Sequence, residues 1–189
     1  MEIFDNYQPA VDLLKDRVVL VTGAGDGIGG AAARAFAAHG ATLILLGRTV
    51  RKLESTYDAI EQAGGPQPAI YPMNLESATL SDCENMATTI EAEFGRLDGL
   101  LHNAALLGTL TPVEHYDIEL WTRVMQVNLN APFLLTRACL PLLRESEDAS
   151  IVFTSSAPGR NPHAYWGAYA VSNAGIESLA AVLADELEA

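Results

Sequence analysis

Arg17-Val-Val-Leu-Val-Thr22 runs directly into Gly23-Ala-Gly-Asp-Gly-Ile-Gly29, and an alanine-rich stretch continues to His39. The first six residues form an aliphatic run of strand length, and such continuous apolarity suits a strand buried on both faces in a parallel sheet. A strand that turns tightly into a helix needs residues able to take positive φ and to let backbone approach a ligand closely. The helix that opens near Ile28 then presents unpaired N–H groups and a positive dipole end, which together suit a pyrophosphate. A literal G-x-G-x-x-G falls on Gly25, Gly27 and Gly30. The turn begins at Gly23, however, so the better frame is Gly23-x-x-x-Gly27-x-Gly29. A tight turn without a ligand is the plain alternative, and the position between a buried strand and a helix argues against it.

The same alternation recurs along the chain. Ala41–Leu46, Pro68–Met73, Leu97–His102 and Ser150–Ser155 are further runs of strand length. Between them, Ile28–His39, Val50–Ala63, Ser77–Phe94, Ile118–Leu143 and Ala168–Leu187 have helical composition, with Gly40 and Gly64-Gly65 as helix stops. Strands alternating with helices imply right-handed crossovers and a Rossmann-type, doubly wound α/β sheet. The expected organisation is an N-terminal arm over 1–16 and one domain over 17–189. No repeat or low-complexity tract interrupts it, and the last helical stretch reaches Ala189 without a cap.

Composition narrows the class of function. The 189 residues are 49% apolar, as in a globular chain. A formal charge of −13, from 11 basic and 24 acidic side chains, repels nucleic-acid phosphates and anionic membranes. Neither is an expected partner. Cys83 and Cys139 stand far apart in sequence within helical stretches and read as core residues rather than as a disulfide. His39, His102, His115 and His163 share no ligand-like spacing, so no metal site is expected. Met1–Arg17 lacks the apolar run of a signal peptide or span, and the expected compartment is the cytoplasm.

With these residues in place, the chain resembles the short-chain dehydrogenase/reductase family, whose cofactor motif is T-G-x-x-x-G-I-G. Further motifs arrive in family order. His102-Asn103-Ala104-Ala105 is similar to the N-N-A-G that closes the fourth strand beside the adenosine. Asn128 matches the helix asparagine that supports the active-site water. Ser156 matches the catalytic serine, and Tyr169 follows it at the family's usual separation of thirteen residues, opening a Tyr169-Ala-Val-Ser-Asn173 segment in the Y-x-x-x-K slot. Wording such as Phe4-Asp-Asn-Tyr-Gln-Pro9 and Trp166-Gly-Ala-Tyr169 looks closest to the family's bacterial YciK-like branch. The resemblance implies a nicotinamide dinucleotide held by Gly23, Gly25, Asp26, Gly27, Ile28, Gly29, Arg48, Asn74, Leu75, Asn103, Ala104, Ala105, Tyr169 and Asn173. It implies catalysis through Asn128, Ser156 and Tyr169 on a small carbonyl or alcohol substrate. It also implies a homodimer or homotetramer through the two long C-terminal helices.

The second strand ends Leu45-Leu46-Gly47-Arg48. An acid near the Gly47 position would bond a ribose 2′-hydroxyl and repel a 2′-phosphate. Here no acid stands there and a guanidinium follows, a group suited to bidentate contact with phosphate. NADP is therefore favoured, with NAD as the alternative.

The chemistry departs from the family at one turn of helix. A tyrosine has an ordinary pKa of about 10 and works near neutral pH only with positive charge beside its phenolate. The family supplies that charge with a lysine four residues on, and here the position is Asn173. An asparagine can bond a ribose hydroxyl but brings no charge, and no lysine lies beyond Lys52. Arg160 is the nearest cation in sequence. General acid–base catalysis contributes about 10²–10⁴-fold, so a loss of that order is expected if nothing compensates. Ala105 in place of glycine and Asn74 in place of the usual aspartate point the same way. The resemblance further implies two more strands than the chain contains, which would leave the strand before Ser156 as a sheet edge. Three readings follow: an oxidoreductase with weakened proton transfer, a dinucleotide-binding or interaction module that has lost its chemistry, or a fragment of a longer gene product.

Overall fold

Strand β1 (Val18–Thr22) is buried along its whole length and forms the middle of a five-stranded sheet. In this computed structural model, which describes residues 7–188, its neighbours are β2 (Thr42–Gly47) on one side and β4 (Gly99–His102) on the other. Beyond them lie β3 (Ala69–Pro72) and β5 (Ser150–Phe153), in the order β3-β2-β1-β4-β5, all parallel. The expected doubly wound α/β architecture is the one observed. Residues 1–6 of the expected arm, and with them Phe4-Asp-Asn of the branch wording, lie outside the described residues, as does Ala189.

Alternation along β1 divides the core into two layers, because successive side chains of a strand face opposite ways. Val18 and Leu20 join Met86, Ile90 and Leu135 on one face. Those three come from α3 (Leu80–Phe94) and α5 (Ala131–Arg144). Val19 and Val21 join Ala33, Ala37, Leu53 and Ile60 on the other. That layer belongs to α1 (Gly27–Ala38) and α2 (Val50–Gln62). Cys83 and Cys139, distant in sequence, share the α3–α5 layer as free thiols, and burial pushes them up to about 11 and about 12.

The stretch expected as one helix over 118–143 is three pieces. α4 (Ile118–Met125) widens into a π-helical turn over Gln126–Asn130 before α5 begins. The widening lies just ahead of Pro132, which has no N–H to donate and whose ring crowds the carbonyl four residues back. The helix opens by one residue ahead of it, and Ala131 N–H reaches Gln126 O instead. A short α6 (Ala157–Arg160) follows β5, and the final helix α7 runs over Gly167–Glu188. β5 is one of the two outer strands of the sheet, opposite β3, with Val152 exposed. Among the described residues no helix is long and apolar enough to cross a membrane.

The order of connection reverses between β1 and β4, whose outer neighbours are reached in opposite directions. In open α/β sheets ligands settle at the carboxyl ends of strands at such a point. Thr22 and His102 end the two strands there.

Candidate active site

A cleft of about 590 Å³ opens at those strand ends. Gly23 leaves β1 at φ 67° and Gly27 starts α1 at φ 53°, so two of the three glycines chosen from the sequence are held where a side chain would strain the backbone. The third works differently. A Cβ on Gly29 would strike the Gly23 carbonyl and lie 2.5 Å from Asn103 Nδ2, so Gly29 serves the close approach of helix to strand and does not line the cleft. Gly23, Gly25, Asp26, Gly27 and Ile28 do line it, as do Asn103, Ala104 and Ala105 from the far side.

Thr22 joins these two walls. Its Oγ1 accepts the N–H groups of Asn103 at 2.9 Å and Ala104 at 3.1 Å, and Asn103 Nδ2 donates to Thr22 O at 3.3 Å. The threonine of the T-G-x-x-x-G motif is thus a buried joint, a role sequence reasoning passed over because its partners lie some 80 residues away.

Charge at the cleft is paired. Asp26 caps α1 by accepting Gly27 N–H at 2.7 Å and bonds Lys52 Nζ at 2.8 Å. The Lys52 ammonium, helped by the Gly27 N–H, holds the Asp26 carboxyl below the usual carboxylate range. Arg48 Nη1 donates to Glu76 Oε1 at 2.8 Å, and Arg123 Nε donates to Glu76 Oε2 at 3.1 Å. Asn74 and Leu75 line the same wall, with Asn74 Oδ1 accepting Glu76 N–H at 3.2 Å. Lys52, Glu76 and Arg123 carried no signal in the sequence, since charged side chains with no motif around them look like any solvated residue.

Of the residues expected to act in catalysis, Asn128 lines a second, small cavity of about 20 Å³ together with Asn173, whereas Ser156 and Tyr169 do not. Ala104 and Ala105 belong to both spaces, so the two adjoin. Asn128 and Asn173 line the small cavity with His102 and Thr154. The π turn presents Asn128, and its amide is fully used: Oδ1 accepts Leu106 N–H at 2.7 Å, while Nδ2 donates to Leu106 O at 2.9 Å and Ser172 Oγ at 3.1 Å. It binds the loop after β4 to α7. Asn173 is buried, and its Nδ2 donates to Tyr169 O at 2.8 Å, folding the amide back onto its own helix. Tyr169 is half-buried and packs near Trp166, ring centroids 5.9 Å apart. Ser156 is half-buried at the start of α6. Ser156, Tyr169 and Asn173 do not line the larger cleft.

Two groups could replace the missing lysine charge, and neither does. Arg160 Nε donates to both oxygens of Glu177, at 3.0 and 2.9 Å, and Glu177 also accepts Ser155 Oγ at 2.5 Å. In the structure the guanidinium is paired with Glu177. His102 shares the cavity with Asn173, but burial drives it down to about 3, so it is neutral at working pH. Its Nε2 pairs with Thr136 Oγ1 at 2.9 Å, its ring stacks on Phe153 at 4.7 Å, and its Nδ1 has no partner among the described residues.

That burial has a consequence for stability. In the unfolded chain a histidine titrates near 6.5, while in the folded chain it resists protonation down to about 3. The unfolded state therefore binds the extra proton across that interval, and stability is intact above pH 6.5 and falls as pH drops toward 3. Between pH 7 and 5 the loss is about 2 kcal/mol by linkage, roughly 4–8 °C in Tm for a chain of this size. The His102→Asn variant is expected to lose that share of the pH dependence. Equal Tm shifts in variant and wild type would exclude His102 as its source.

The geometry has close counterparts. Residues 17–189 match the family model described as short chain dehydrogenase. Over 183 residues the chain is 49% identical to the Escherichia coli K12 uncharacterized oxidoreductase YciK, covering 97% of this chain and 73% of that protein. Among solved structures, a protein from Pseudomonas syringae described as a short chain dehydrogenase superposes with a TM-score of 0.95 at 57% identity, covering 97% of this chain and 76% of that one. An Escherichia coli CFT073 protein of the same description, solved in complex with NADPH, superposes with a TM-score of 0.92 at 50% identity, covering 94% of this chain and 74% of that one.

Proposed function

The chain belongs to the short-chain dehydrogenase family, and on that premise we propose that it is an NADP-dependent oxidoreductase that moves hydride on a small carbonyl/alcohol pair with weakened proton transfer. The observation that carries the reading is the glycine turn between β1 and α1, opening on a cleft at the sheet's switch point. A dinucleotide fits what stands there. Positive φ at Gly23 and Gly27 keeps the turn free of side chains, and nothing lies within 4 Å of where a Cβ on Gly27 would be. The α1 N-terminus would face the pyrophosphate. Asn74, Leu75, Asn103, Ala104 and Ala105 would line the adenosine and nicotinamide arms, and Arg48 would meet the 2′-phosphate. The NADPH complex of the related Escherichia coli protein supports that choice of cofactor.

When bound, the nicotinamide carries the hydride. The protein's task is then at the substrate oxygen. Tyr169 would give or take the proton there and Ser156 would hold the oxygen, while Asn128 keeps the loop after β4 seated against α7. With Asn173 in the lysine slot, Arg160 paired to Glu177 and His102 neutral, no cation among the described residues steadies the Tyr169 phenolate. Proton transfer is the slow element. Exposed Phe133, Val171 and Val182 on α5 and α7 support self-association along those helices.

The same absence of charge favours a second reading, a module that binds the dinucleotide without turning it over. Calorimetric titration with NADPH and NADH, joined to a screen of carbonyl substrates, separates the two. We expect NADPH to bind about tenfold more tightly than NADH, the share of one charge-assisted contact, and turnover to be slow but measurable. Binding without turnover selects the module, and failure to bind either nucleotide refutes both readings.

A further inference from the structure

We propose that Glu76 sets the nucleotide preference of the cleft by competing with the 2′-phosphate for Arg48. The inference rests on the reading of the cleft as an NADP site and concerns a residue outside that reading. Arg48 is not free: its Nη1 donates to Glu76 Oε1 at 2.8 Å. The two partners are unequal. The Glu76 side chain is 19% exposed and the Arg48 side chain 64%, so the carboxylate is the fixed member and the guanidinium the movable one.

Several contacts fix Glu76. Its second oxygen, Oε2, accepts Arg123 Nε at 3.1 Å, and its N–H is held by Asn74 Oδ1 at 3.2 Å. On either side, the carbonyls of Leu75 and Ala78 accept Gln126 Nε2 at 3.5 and 3.2 Å. The loop after β3 is thus pinned to α4 and the π turn. It holds a carboxylate at the rim of the cleft, on the arginine that, among the described residues, the cleft wall offers a phosphate.

A 2′-phosphate that takes the Nη1 side of Arg48 must displace that carboxylate, and one that takes the free Nε–Nη2 edge shares the guanidinium with it; either way it lies beside a like charge. A 2′-hydroxyl makes no such demand and leaves the Arg48–Glu76 pair intact. Exchange is possible because the Arg48 side of the pair is largely exposed, which weakens the attraction. Arg123 makes it cheaper still, since Glu76 keeps a cation when Arg48 turns away and is not left as an unpaired, mostly buried charge. Glu76 therefore lowers the discrimination for NADP below what Arg48 alone would supply, and Arg123 moderates that loss.

The test uses the full chain, with NADPH and NADH as probes in calorimetric titrations and thermal denaturation as the check on folding. Glu76→Gln, which keeps the shape and removes the charge, is expected to tighten NADPH about three- to tenfold and to raise the NADPH-to-NADH affinity ratio by the same factor. Glu76→Ala is expected to repeat the direction. Arg123→Leu is expected to weaken NADPH about threefold, because Glu76 then depends on Arg48 alone, and to do nothing in the Glu76→Gln background. Weaker NADPH binding in Glu76→Gln would mean that the carboxylate orients Arg48 for phosphate, and the proposal is overturned. Equal changes in both nucleotides overturn it too, by placing the effect in the adenosine wall. Arg48→Ala separates the two levels of inference: if it leaves the affinity ratio unchanged, the assignment of Arg48 to the phosphate is wrong and the role of Glu76 falls with it.

Discussion

Asn173→Lys is expected to raise turnover with NADPH and a carbonyl substrate by about 10²–10⁴-fold, the range that a positioned acid or base contributes. Tyr169 and residue 173 lie one helical turn apart on the same face of α7. In the native chain the side chain there is neutral and donates to Tyr169 O, within its own helix. A lysine brings a cation to the phenolate and a donor for the ribose. Among the described residues, the two basic groups considered for this role do not supply it in the structure: Arg160 pairs with both oxygens of Glu177, and His102 is kept neutral by burial. The adjoining cavity of about 20 Å³ gives the longer side chain some room beside Thr154 and Ile176. The measurement is kcat and KM for wild type and variant under saturating NADPH. A gain in kcat, with its pH profile moved toward neutrality, identifies proton transfer as the missing element. A gain in KM alone would assign residue 173 to binding. Background turnover in a variant that folds and binds NADPH would put the deficit elsewhere.

The second large effect is a loss. Tyr169→Phe removes only the hydroxyl, leaving the ring near Trp166 and the carbonyl that accepts Asn173 and Ser172. Folding and nucleotide affinity are therefore expected to hold, while turnover falls by at least about 10²-fold. The two substitutions should not add. Residues acting as a unit are strongly non-additive, so the lysine gained at 173 is expected to be worth almost nothing once the phenol is gone. Turnover of the double variant should match that of Tyr169→Phe alone. Equal rates in wild type and Tyr169→Phe would move the proton donor to another group and leave the thirteen-residue spacing from Ser156 without a catalytic meaning.

Much of this was legible in the chain. Continuous apolar runs specified a parallel sheet, because strands covered on both faces cannot alternate polar and apolar residues. The glycine frame at Gly23, Gly27 and Gly29 specified the turn, because positive φ and close backbone approach are demands on single residues. The resemblance to the family marked Ser156 and Tyr169 as candidates and showed that residue 173 carries no charge. The break in the helix over 118–143 falls just ahead of Pro132, so it too had a local mark in the sequence.

What spacing could not reveal is where charge ends up. Arg48 met as a bare arginine favours a phosphate; in the folded chain it is tied to Glu76, 28 residues on, and Glu76 is tied to Arg123, a further 47 away. Arg160 is the nearest cation to Tyr169 along the chain, yet it closes on Glu177. His102 passes in sequence for an unremarkable histidine and becomes, under Phe153 and Thr136, a buried neutral ring beside the site. Conformation and burial pattern are largely local or periodic, so the order of residues determined the fold and the cradle. Ion pairing and desolvation depend on which distant side chains the fold brings together, so only the tertiary structure decided which of the cradle's charges are free to act.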